Sequence, residues 1–419
     1  MKYNEKIQLV LNKEGKNKPT LIQERTYDAI KNGASVIGLA KTGTGKTLAY
    51  ALPTLEKVKQ GEKHSLIILA PTTELAVQIR NVVRPYAQSL GLKVMALVGA
   101  GNRKRQNDQL KKENYEVLVC TPGRFFDFFS SGRIKLNQIK TLVIDEADDI
   151  LEFTKLDLLS SLGQNLLPDS QILLFGATES RIIREAEEIF ARNFLLIDVR
   201  PDQDNETEHD FLQVDNEHKM EFLQRLTKLD KFRGLVFFDS NDTMLRFARI
   251  FAHTKTKFDV LANDFSKDKR QKALRNLSSG KTKLLLATDL AARGLDIPKL
   301  TYVINYEIPS EFNTYMHRAG RTGRMQQKGY VVTLGDDHDY RDLKKLLAGE
   351  VSLQRVYFAG YKLTTEKPKA KSTVKEKKQE EKVPQVKPLL KKSKKRKKRP
   401  NKNKGYHPHY LKNKGAQSE

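Results

Sequence analysis

Short runs of valine, isoleucine and leucine alternate with longer amphipathic stretches along the chain, up to about residue 345. Such alternation predicts repeated β-α-β units and therefore parallel sheets. The predicted strands end at the following residues: Ala40, Ala70, Val98, Cys120, Asp145 and Gly176 in the first half, and Phe238, Ala287, Asn305 and Leu334 in the second. Because ligands of open parallel sheets bind just beyond the carboxyl ends of the strands, the residues that follow these runs are the candidates for chemistry.

A polar segment at Arg200–Glu208 lacks apolar periodicity and separates the two halves, which predicts a linker between two cores. We therefore expect four parts: an α/β domain at residues 1–200, a linker at 201–209, an α/β domain at 210–363 and a tail at 364–419. The tail is rich in lysine and poor in apolar residues, so it cannot bury enough surface to offset its ordering entropy. We expect the tail to be disordered.

Length and composition exclude several classes of protein. The 419 residues suit two or three domains. No stretch approaches the roughly 20 apolar residues of a membrane-spanning helix, and the charged start of the chain lacks the apolar segment of a secretory signal. We therefore expect a cytoplasmic protein without a membrane partner. The single cysteine, Cys120, excludes an intramolecular disulfide and a metal site built from several cysteines, and its position favours a small buried hydrophobe.

The net charge of +25 is concentrated at one end of the chain. The predicted tail contains 20 Lys/Arg and 5 Asp/Glu, a balance of +15, which leaves +10 for the rest. Basic charge attracts polyanions by releasing their counterions, but a solvated charge run is also typical of simple disorder. The charge favours a nucleic-acid partner and leaves both interpretations open.

The segment Ala40–Thr47, which reads AKTGTGKT, follows the strand-like run Val36–Leu39. Glycines let backbone N–H groups approach phosphates, Lys46 supplies a cation for the outer phosphates, and the Thr47 hydroxyl can ligate Mg²⁺. The competing interpretation is a glycine-rich turn without a ligand. Only the first half has such a loop, so the first domain is expected to bind the nucleotide, through these residues: Thr42, Gly43, Thr44, Gly45, Lys46 and Thr47.

About a hundred residues later, the apolar run Leu142–Ile144 leads into Asp145–Asp148, which reads DEAD. A carboxylate at a strand end beside a phosphate loop holds Mg²⁺ through water, which is the role expected of Asp145. The adjoining Glu146 is placed to orient or deprotonate the attacking water. Together the loop and the acidic motif indicate an ATPase that uses ATP and Mg²⁺.

The acidic motif resembles the one that names the DEAD-box RNA helicases, and further motifs follow in the order of that family between Gly15 and Gly329. Gly15, Pro19-Thr20 and Ile22-Gln23 resemble its Q motif. The motifs of the first domain that contact RNA in the family are resembled by Pro71–Ala76, Gly99 with its neighbours and Thr121–Arg124. Motifs IV, V and VI of the second domain are resembled by Val236–Ser240, Ala287–Asp296 and His317–Arg324.

The resemblance implies two RecA-like parallel-sheet domains, with roles for individual residues. Gln23 is implied to read adenine and Asp296 to contact the ribose, while Arg321 and Arg324 match the arginine fingers of the family. His317 is implied to link the interdomain network to Asp148, beside the coupling residues Ala177 and Thr178. The residues implied to contact RNA are Thr72, Gly99, Thr121, Arg124, Thr288 and Arg293.

Four positions depart from the family pattern. Gly176 stands where the family usually has the serine of Ser-Ala-Thr, which removes a hydroxyl implied to bond the DEAD carboxylate. Thr73 replaces a common arginine, no aromatic residue is evident near Lys6 and Ile7 to stack on adenine, and the Gln-x-x-Arg element appears as Lys267–Arg270. These departures affect the coupling of hydrolysis to unwinding, one cationic contact with RNA and the binding of adenine.

The resulting prediction is an ATP-dependent RNA helicase that grips RNA by its sugar-phosphate backbone and couples hydrolysis to local unwinding or to remodelling of RNA–protein particles. Binding is expected on single-stranded and duplex RNA without regard to sequence. By analogy, the chain suits a bacterial member of the cold-adaptation or ribosome-assembly type, with ribosomal particles or RNA-decay proteins as partners. Two alternatives are an ATP-gated RNA clamp or annealing protein that scarcely unwinds, and a DNA-directed motor.

Overall fold

The computed structural model describes residues 2–367 except 155, 180, 203–206, 263, 293–296, 298–299, 324–327 and 361. From residue 368 onward the predicted tail lies outside the described residues, as do Arg293, Asp296 and Arg324 of the predicted site. Within the described part, no helix is both long enough and apolar enough to cross a membrane.

In the described residues, the first domain is built on a seven-stranded sheet with the order β3-β4-β2-β5-β6-β1-β7, and every pair is parallel. Its strands are β1 (Val36–Leu39), β2 (Leu66–Leu69), β3 (Val94–Leu97), β4 (Val117–Cys120), β5 (Thr141–Asp145), β6 (Gln171–Gly176) and β7 (Leu195–Asp198). Its helices are α1 (Glu5–Lys13), α2 (Leu21–Lys31), α3 (Lys46–Leu55), α4 (Thr73–Ser89), α5 (Arg103–Lys112), α6 (Pro122–Ser130), α7 (Ala147–Phe153), α8 (Leu156–Asn165), α9 (Arg181–Arg184) and α10 (Ala186–Phe190).

Helices cover both faces of this sheet, as the unbroken apolar runs require. Successive residues of a strand point to opposite faces, so Leu66 and Ile68 pack in one core with α1 to α4, while Ile67 and Leu69 pack in the other with α5 to α8. Cys120 is fully buried in the second of these cores, as predicted.

In the described residues, the second domain contains an eight-stranded sheet with the order β10-β11-β9-β12-β13-β8-β14-β15, in which only β15 runs antiparallel to its neighbour. Its strands are β8 (Thr207–Gln213), β9 (Gly234–Phe238), β10 (Phe258–Leu261), β11 (Leu284–Thr288), β12 (Tyr302–Asn305), β13 (Gly329–Gly335), β14 (Leu353–Ala359) and β15 (Lys362–Thr364). Its helices are α11 (Lys219–Leu226), α12 (Asn241–Phe251), α13 (Lys267–Ser278), α14 (Asp289–Ala292), α15 (Phe312–Ala319) and α16 (Asp337–Leu347). The predicted fold of two parallel-sheet α/β domains is confirmed.

The start of the second sheet differs from the predicted linker. Thr207 and Glu208, which have no apolar periodicity, form the first residues of β8, with Thr207 opposite Gly329 of β13. The ladder with β13 supplies the backbone hydrogen bonds that a polar segment needs to become a strand, so tertiary pairing overrides local composition here. The carboxyl ends of the strands in both sheets lead into the loops that carry the motif residues.

Candidate active site and RNA interface

The phosphate loop joins the buried strand β1 to helix α3, which begins at Lys46. Gly43 and Gly45 have φ angles of 80° and 95°, a region that glycine adopts without strain. A Cβ at Gly45 would also lie 2.6 Å from the side-chain nitrogen of Gln23. The Lys46 ammonium lies 2.8 Å from the carbonyl oxygen of Ala40, so it is held over the loop, beside N–H groups at the start of a helix that favour an anion.

Gln23 connects the Q-motif segment to this loop. Its side-chain oxygen accepts from the backbone N–H of Thr20 at 3.1 Å, and its side-chain nitrogen donates to the carbonyl oxygen of Gly45 at 3.1 Å. The residue is buried. Because an amide nitrogen has two donor hydrogens, Gln23 can hold the loop and still donate to a base.

Asp145 ends β5 beside the phosphate loop and is buried. It accepts from the Tyr50 hydroxyl at 2.8 Å and from the backbone N–H of Glu146 at 3.0 Å. Burial and the neighbouring Glu146 carboxylate raise the pKa of Asp145 to about 6, although the Lys46 ammonium opposes this shift. Tyr50 also forms a hydrogen bond with Thr47, so one tyrosine hydroxyl lies between the two oxygen groups predicted to face the metal.

Sequence reasoning missed Tyr50. The signal was present, because Tyr50 lies three residues after Thr47 and such pairs share a face of a helix.

Glu146 precedes helix α7 with a left-handed backbone, at φ 48° and ψ 53°. Such a conformation costs a non-glycine residue about 1–3 kcal/mol and is typical of functional sites. The carboxylate oxygen Oε2 is buried without a hydrogen-bond partner among the described residues, and Oε1 lies 3.9 Å from Nη2 of Arg321. A buried acceptor that its neighbours leave unpaired is available to a bound molecule.

Arg321 is contributed by the second domain and is 6% exposed. Its Nε donates to the carbonyl oxygen of His317 at 3.2 Å, which turns the guanidinium towards Glu146. Gly320 passes so close to the phosphate loop that a Cβ there would overlap the Thr42 side chain. The end of α15 therefore completes the site that the first domain begins.

His317 reaches across to the acidic motif of the first domain. Its Nε2 lies 3.1 Å from Oδ2 of Asp148, and its Nδ1 lies 3.2 Å from Oδ1 of Asp149. Burial alone would lower the pKa of His317, but hydrogen bonds and charge attraction from the two carboxylates raise it to about 10. The sequence indicated Asp148 as the partner and missed Asp149.

The predicted coupling residues converge on Asp148. Its Oδ2 accepts from the Thr178 hydroxyl at 2.7 Å, from the Thr178 N–H at 3.1 Å and from the Ala177 N–H at 3.3 Å. Burial opposes ionisation, yet these bonds and the contact with His317 hold the pKa of Asp148 well below its usual range. Oδ1 is buried and has no partner among the described residues.

Gly176 faces that unpaired oxygen. A Cβ at Gly176 would lie 3.0 Å from Oδ1 of Asp148, so a serine hydroxyl here would reach it after a small adjustment. We predict that Gly176→Ser raises the amount of duplex unwound per ATP hydrolysed up to about tenfold, since a hydrogen bond to a charged group is worth about 1.5 kcal/mol. The measurement is strand displacement beside ATP hydrolysis. Gly176→Ala adds the Cβ without the hydroxyl, and equal ratios for the serine and alanine variants would contradict the prediction.

Arg318, next to His317, is among the largest fully buried side chains of the described residues and was also missed from the sequence. It donates to both carboxylate oxygens of Asp289, at 2.7 and 2.6 Å, and to Asp239 at 3.2 Å. It further donates to Asn305 and to the carbonyl oxygen of Glu307. Since these partners lie at or just after the ends of β9, β11 and β12, Arg318 ties together the carboxyl edge of the second sheet.

The predicted RNA contacts of the first domain lie at the starts of two helices. The Thr72 hydroxyl accepts from the N–H of Leu75 at 3.2 Å and caps α4, and Thr121 precedes α6. The Arg124 guanidinium donates to the carbonyl oxygen of Gly99 at 2.9 Å, which joins two of the predicted RNA loops. In the second domain, the Thr288 hydroxyl is buried at the end of β11 without a partner among the described residues.

A further ion pair connects the two domains. Nη1 of Arg270 in α13 lies 2.8 Å from Oε1 of Glu74 in the first turn of α4. Nη2 of Arg270 donates to the carbonyl oxygen of Ala291 at 3.3 Å. The arginine of the altered Lys267–Arg270 element therefore makes a contact between the domains.

Comparison with known proteins gives consistent matches in both domains. Residues 20–186 match the DEAD/DEAH box helicase family model, and residues 218–326 match the helicase conserved C-terminal domain. The chain is 36% identical over 361 residues to the probable ATP-dependent RNA helicase YfmL of Bacillus subtilis, covering 84% of this chain and 95% of that protein. It is 33% identical to the DEAD-box ATP-dependent RNA helicase CshC of Bacillus cereus, covering 87% and 94%.

Among solved structures, Dbp5 of S. cerevisiae bound to RNA and ADP BeF3 superposes with a TM-score of 0.75 at 25% identity. The match covers 85% of this chain and 94% of the yeast chain.

Proposed function

Because the chain belongs to the DEAD-box ATP-dependent RNA helicases, we propose that its two domains share one catalytic site that couples ATP hydrolysis to RNA remodelling. The observation that carries this is the 3.9 Å approach of Arg321 in the second domain to Glu146 in the first. An arginine brought from another domain to a phosphoryl-transfer site can add orders of magnitude to the rate. Membership of the family does not favour the alternative of an RNA clamp that scarcely unwinds.

ATP binding is assigned chiefly to the first domain. The backbone of Thr42–Gly45 and the Lys46 ammonium would surround the phosphates, since glycine geometry and a helix start both favour anions there. Gln23 would donate to adenine with the amide hydrogen that Gly45 does not use. By resemblance, Asp296 would contact the ribose.

The donors beside the phosphate loop fit Mg²⁺. Thr47 and Asp145 offer hard oxygen atoms on either side of Tyr50. Burial raises the pKa of Asp145 to about 6, so keeping this carboxylate ionised costs free energy, and a bound divalent cation would offset that cost. The described residues hold no cluster of three or more His, Cys, Asp or Glu suited to a metal, so phosphate oxygens and water would complete the shell. When bound, Mg²⁺ would neutralise charge on the phosphates.

Hydrolysis is assigned to Glu146 and Arg321. The unpaired Oε2 of Glu146 would accept a hydrogen bond from the attacking water and orient it. Arg321, and by resemblance Arg324, would stabilise the charge that develops on the γ-phosphate. The contacts of His317 with Asp148, and of Asp148 with Ala177 and Thr178, would link the joining of the two domains to this site.

RNA would lie across both domains and be held by its sugar-phosphate backbone. Thr72 and Thr121 stand at the starts of α4 and α6, where backbone N–H groups favour the binding of an anion such as a phosphate. The hydrogen bond from Arg124 to Gly99 joins the first turn of α6 to the loop that follows β3. Thr288, and by resemblance Arg293, would extend the contacts to the second domain.

The test of this function is hydrolysis of ATP with and without RNA, measured beside displacement of a short duplex. We expect RNA to stimulate hydrolysis, DNA of the same sequence to stimulate it far less, and duplex separation to require ATP. Equal stimulation by DNA would favour the DNA-directed motor, and hydrolysis without displacement would favour the clamp.

We propose that the basic tail raises the affinity of the protein for RNA. Residues 368–419 contain 19 Lys/Arg and 4 Asp/Glu, and a cut after Lys367 preserves the pairing of Thr364 with Tyr357. We predict that this truncation weakens RNA binding at low salt and flattens the dependence of log affinity on log salt by about 0.7 for each phosphate that the tail neutralises. Turnover at saturating RNA should stay nearly unchanged. An unchanged salt slope, or a collapse of saturated turnover, would contradict an electrostatic role for the tail.

The positive charge of the tail also suggests which assemblies the enzyme binds and where it acts. A basic tail adds affinity for any RNA-rich assembly, so we infer that ribosomal particles or RNA-decay proteins are partners and that the protein acts in the cytoplasm. Cross-linking to cellular RNA and identification of the bound species would test this.

A further inference from the structure

Both ring nitrogens of His317 face carboxylates of the other domain. Nε2 lies 3.1 Å from Oδ2 of Asp148, and Nδ1 lies 3.2 Å from Oδ1 of Asp149. The two aspartates are adjacent in α7 and both are buried, while the His317 side chain is 15% exposed. The imidazole is therefore held between two acids in a site largely closed to water.

This geometry fixes the state of the ring. A carboxylate oxygen only accepts hydrogen bonds, and a neutral imidazole carries one N–H, so it can donate to one of the two aspartates and not to both. Protonation of Asp148 would not resolve the conflict, because its Oδ2 already accepts from the backbone N–H groups and the hydroxyl of the segment at Ala177 and Thr178. With both aspartates ionised, two donating nitrogens require the imidazolium.

The other charged groups nearby are largely occupied elsewhere. Arg318 donates to both oxygens of Asp289 in α14, and Arg321 turns towards Glu146. Lys46 contacts the carbonyl oxygen of Ala40. Among the described residues, the charges that face His317 most directly are thus the two aspartates, and both favour its protonated form.

We propose that Asp149 is a positioning residue which, together with Asp148, holds His317 as an imidazolium, so that bringing the two domains together takes up a proton. This rests on the proposed function in one respect, that the domains come together when ATP and RNA bind. Asp149 would then make the union of the domains sensitive to pH.

The sign of the effect follows from the two states of His317. A histidine in water has a pKa of about 6.5. In the joined domains burial opposes the charge, but the two carboxylates raise the pKa to about 10. The contribution of His317 to joining is therefore fully present below about pH 6.5 and is lost as the pH rises towards 10, with a limiting slope of about tenfold per pH unit between them.

The experiment measures RNA affinity in the presence of a non-hydrolysable ATP analogue between pH 7 and 9.5. Wild-type affinity should fall with pH, approaching about tenfold per unit. Asp149→Asn keeps the shape and an acceptor oxygen but removes the charge, so its affinity should be lower at pH 7 and should level off at a lower pH. Asp157→Asn, at an exposed position in α8, is the matched control and should follow the wild type. Identical pH profiles for wild type and Asp149→Asn would overturn the proposal.

A second measurement needs only the wild-type protein and stands even if Asp149→Asn fails to fold. Calorimetric titration of the protein–analogue complex with RNA at pH 8, in two buffers of different ionisation enthalpy, gives the number of protons taken up. We expect close to one proton per binding event, and no uptake would overturn the proposal. Failure of the proposed function would look different, as an absence of RNA-stimulated hydrolysis at every pH.

Discussion

Replacing Glu146 with glutamine is expected to lower the rate of ATP turnover about 10²- to 10⁴-fold, the range for loss of a general base. The amide has nearly the same size, so it preserves the left-handed turn and the approach of Arg321, and the affinities for ATP and RNA should stay nearly unchanged. What it removes is the negative oxygen that is buried without a partner among the described residues and is available to the water. Steady-state ATP hydrolysis measures the loss of turnover, and equilibrium binding measures the affinities for ATP and RNA.

Glu188→Gln is the matched control for this variant, because Glu188 is an exposed residue of α10 and belongs to none of the motifs. Its turnover should equal that of the wild type. Near-normal hydrolysis by Glu146→Gln would remove Glu146 from the mechanism, and loss of ATP binding would show that its charge supports the nucleotide site instead.

Replacing Arg321 with alanine is expected to cost about 10³-fold or more in turnover at saturating RNA, the effect of losing an arginine finger. Arg321 lies in the second domain, while the phosphate loop and Glu146 lie in the first, so its loss should leave ATP binding to the first domain largely intact. Arg321→Lys should recover little of the rate, because a single ammonium lacks the planar fork of a guanidinium.

Arg249→Ala removes an exposed arginine from α12 in the same domain and should keep wild-type turnover. A loss of less than about tenfold in Arg321→Ala would show that the 3.9 Å approach to Glu146 is structural only, since a finger is worth far more.

The sheets and the phosphate loop were predictable because their signals are local. Runs such as Leu66–Leu69 are apolar at every position, as strands buried on both faces require, and the loop is recognisable from its glycines and Lys46. Strands that depend on their neighbours were not predictable. β7 exposes Leu195 and Leu196, and β8 begins with polar residues, so neither shows a pattern without the strand beside it.

The same division holds within the site. Residues of motifs that follow the family's order along the sequence, such as Asp148 and His317, were predicted together and are in contact in the structure. Asp149 and Tyr50 were not predicted, because their importance depends on which side chain reaches them from another element. Arg318 lies in a recognised motif, but its five hydrogen-bond acceptors belong to residues 11 to 79 positions away in sequence, distances over which no local pattern operates.

The strand order of the first sheet has a consequence for synthesis. β1, which carries the phosphate loop, pairs with β6 and β7, so Leu39 lies beside Gly176 and Asp198. At about 5–20 residues per second, a ribosome adds the residues between Leu39 and Asp198 in roughly 10 to 30 s. Until Gly176 has been added, β1 is already made but has neither neighbour in the sheet. The nascent chain therefore carries an unpaired apolar strand, and the ATP site cannot assemble until nearly half of the protein has been translated.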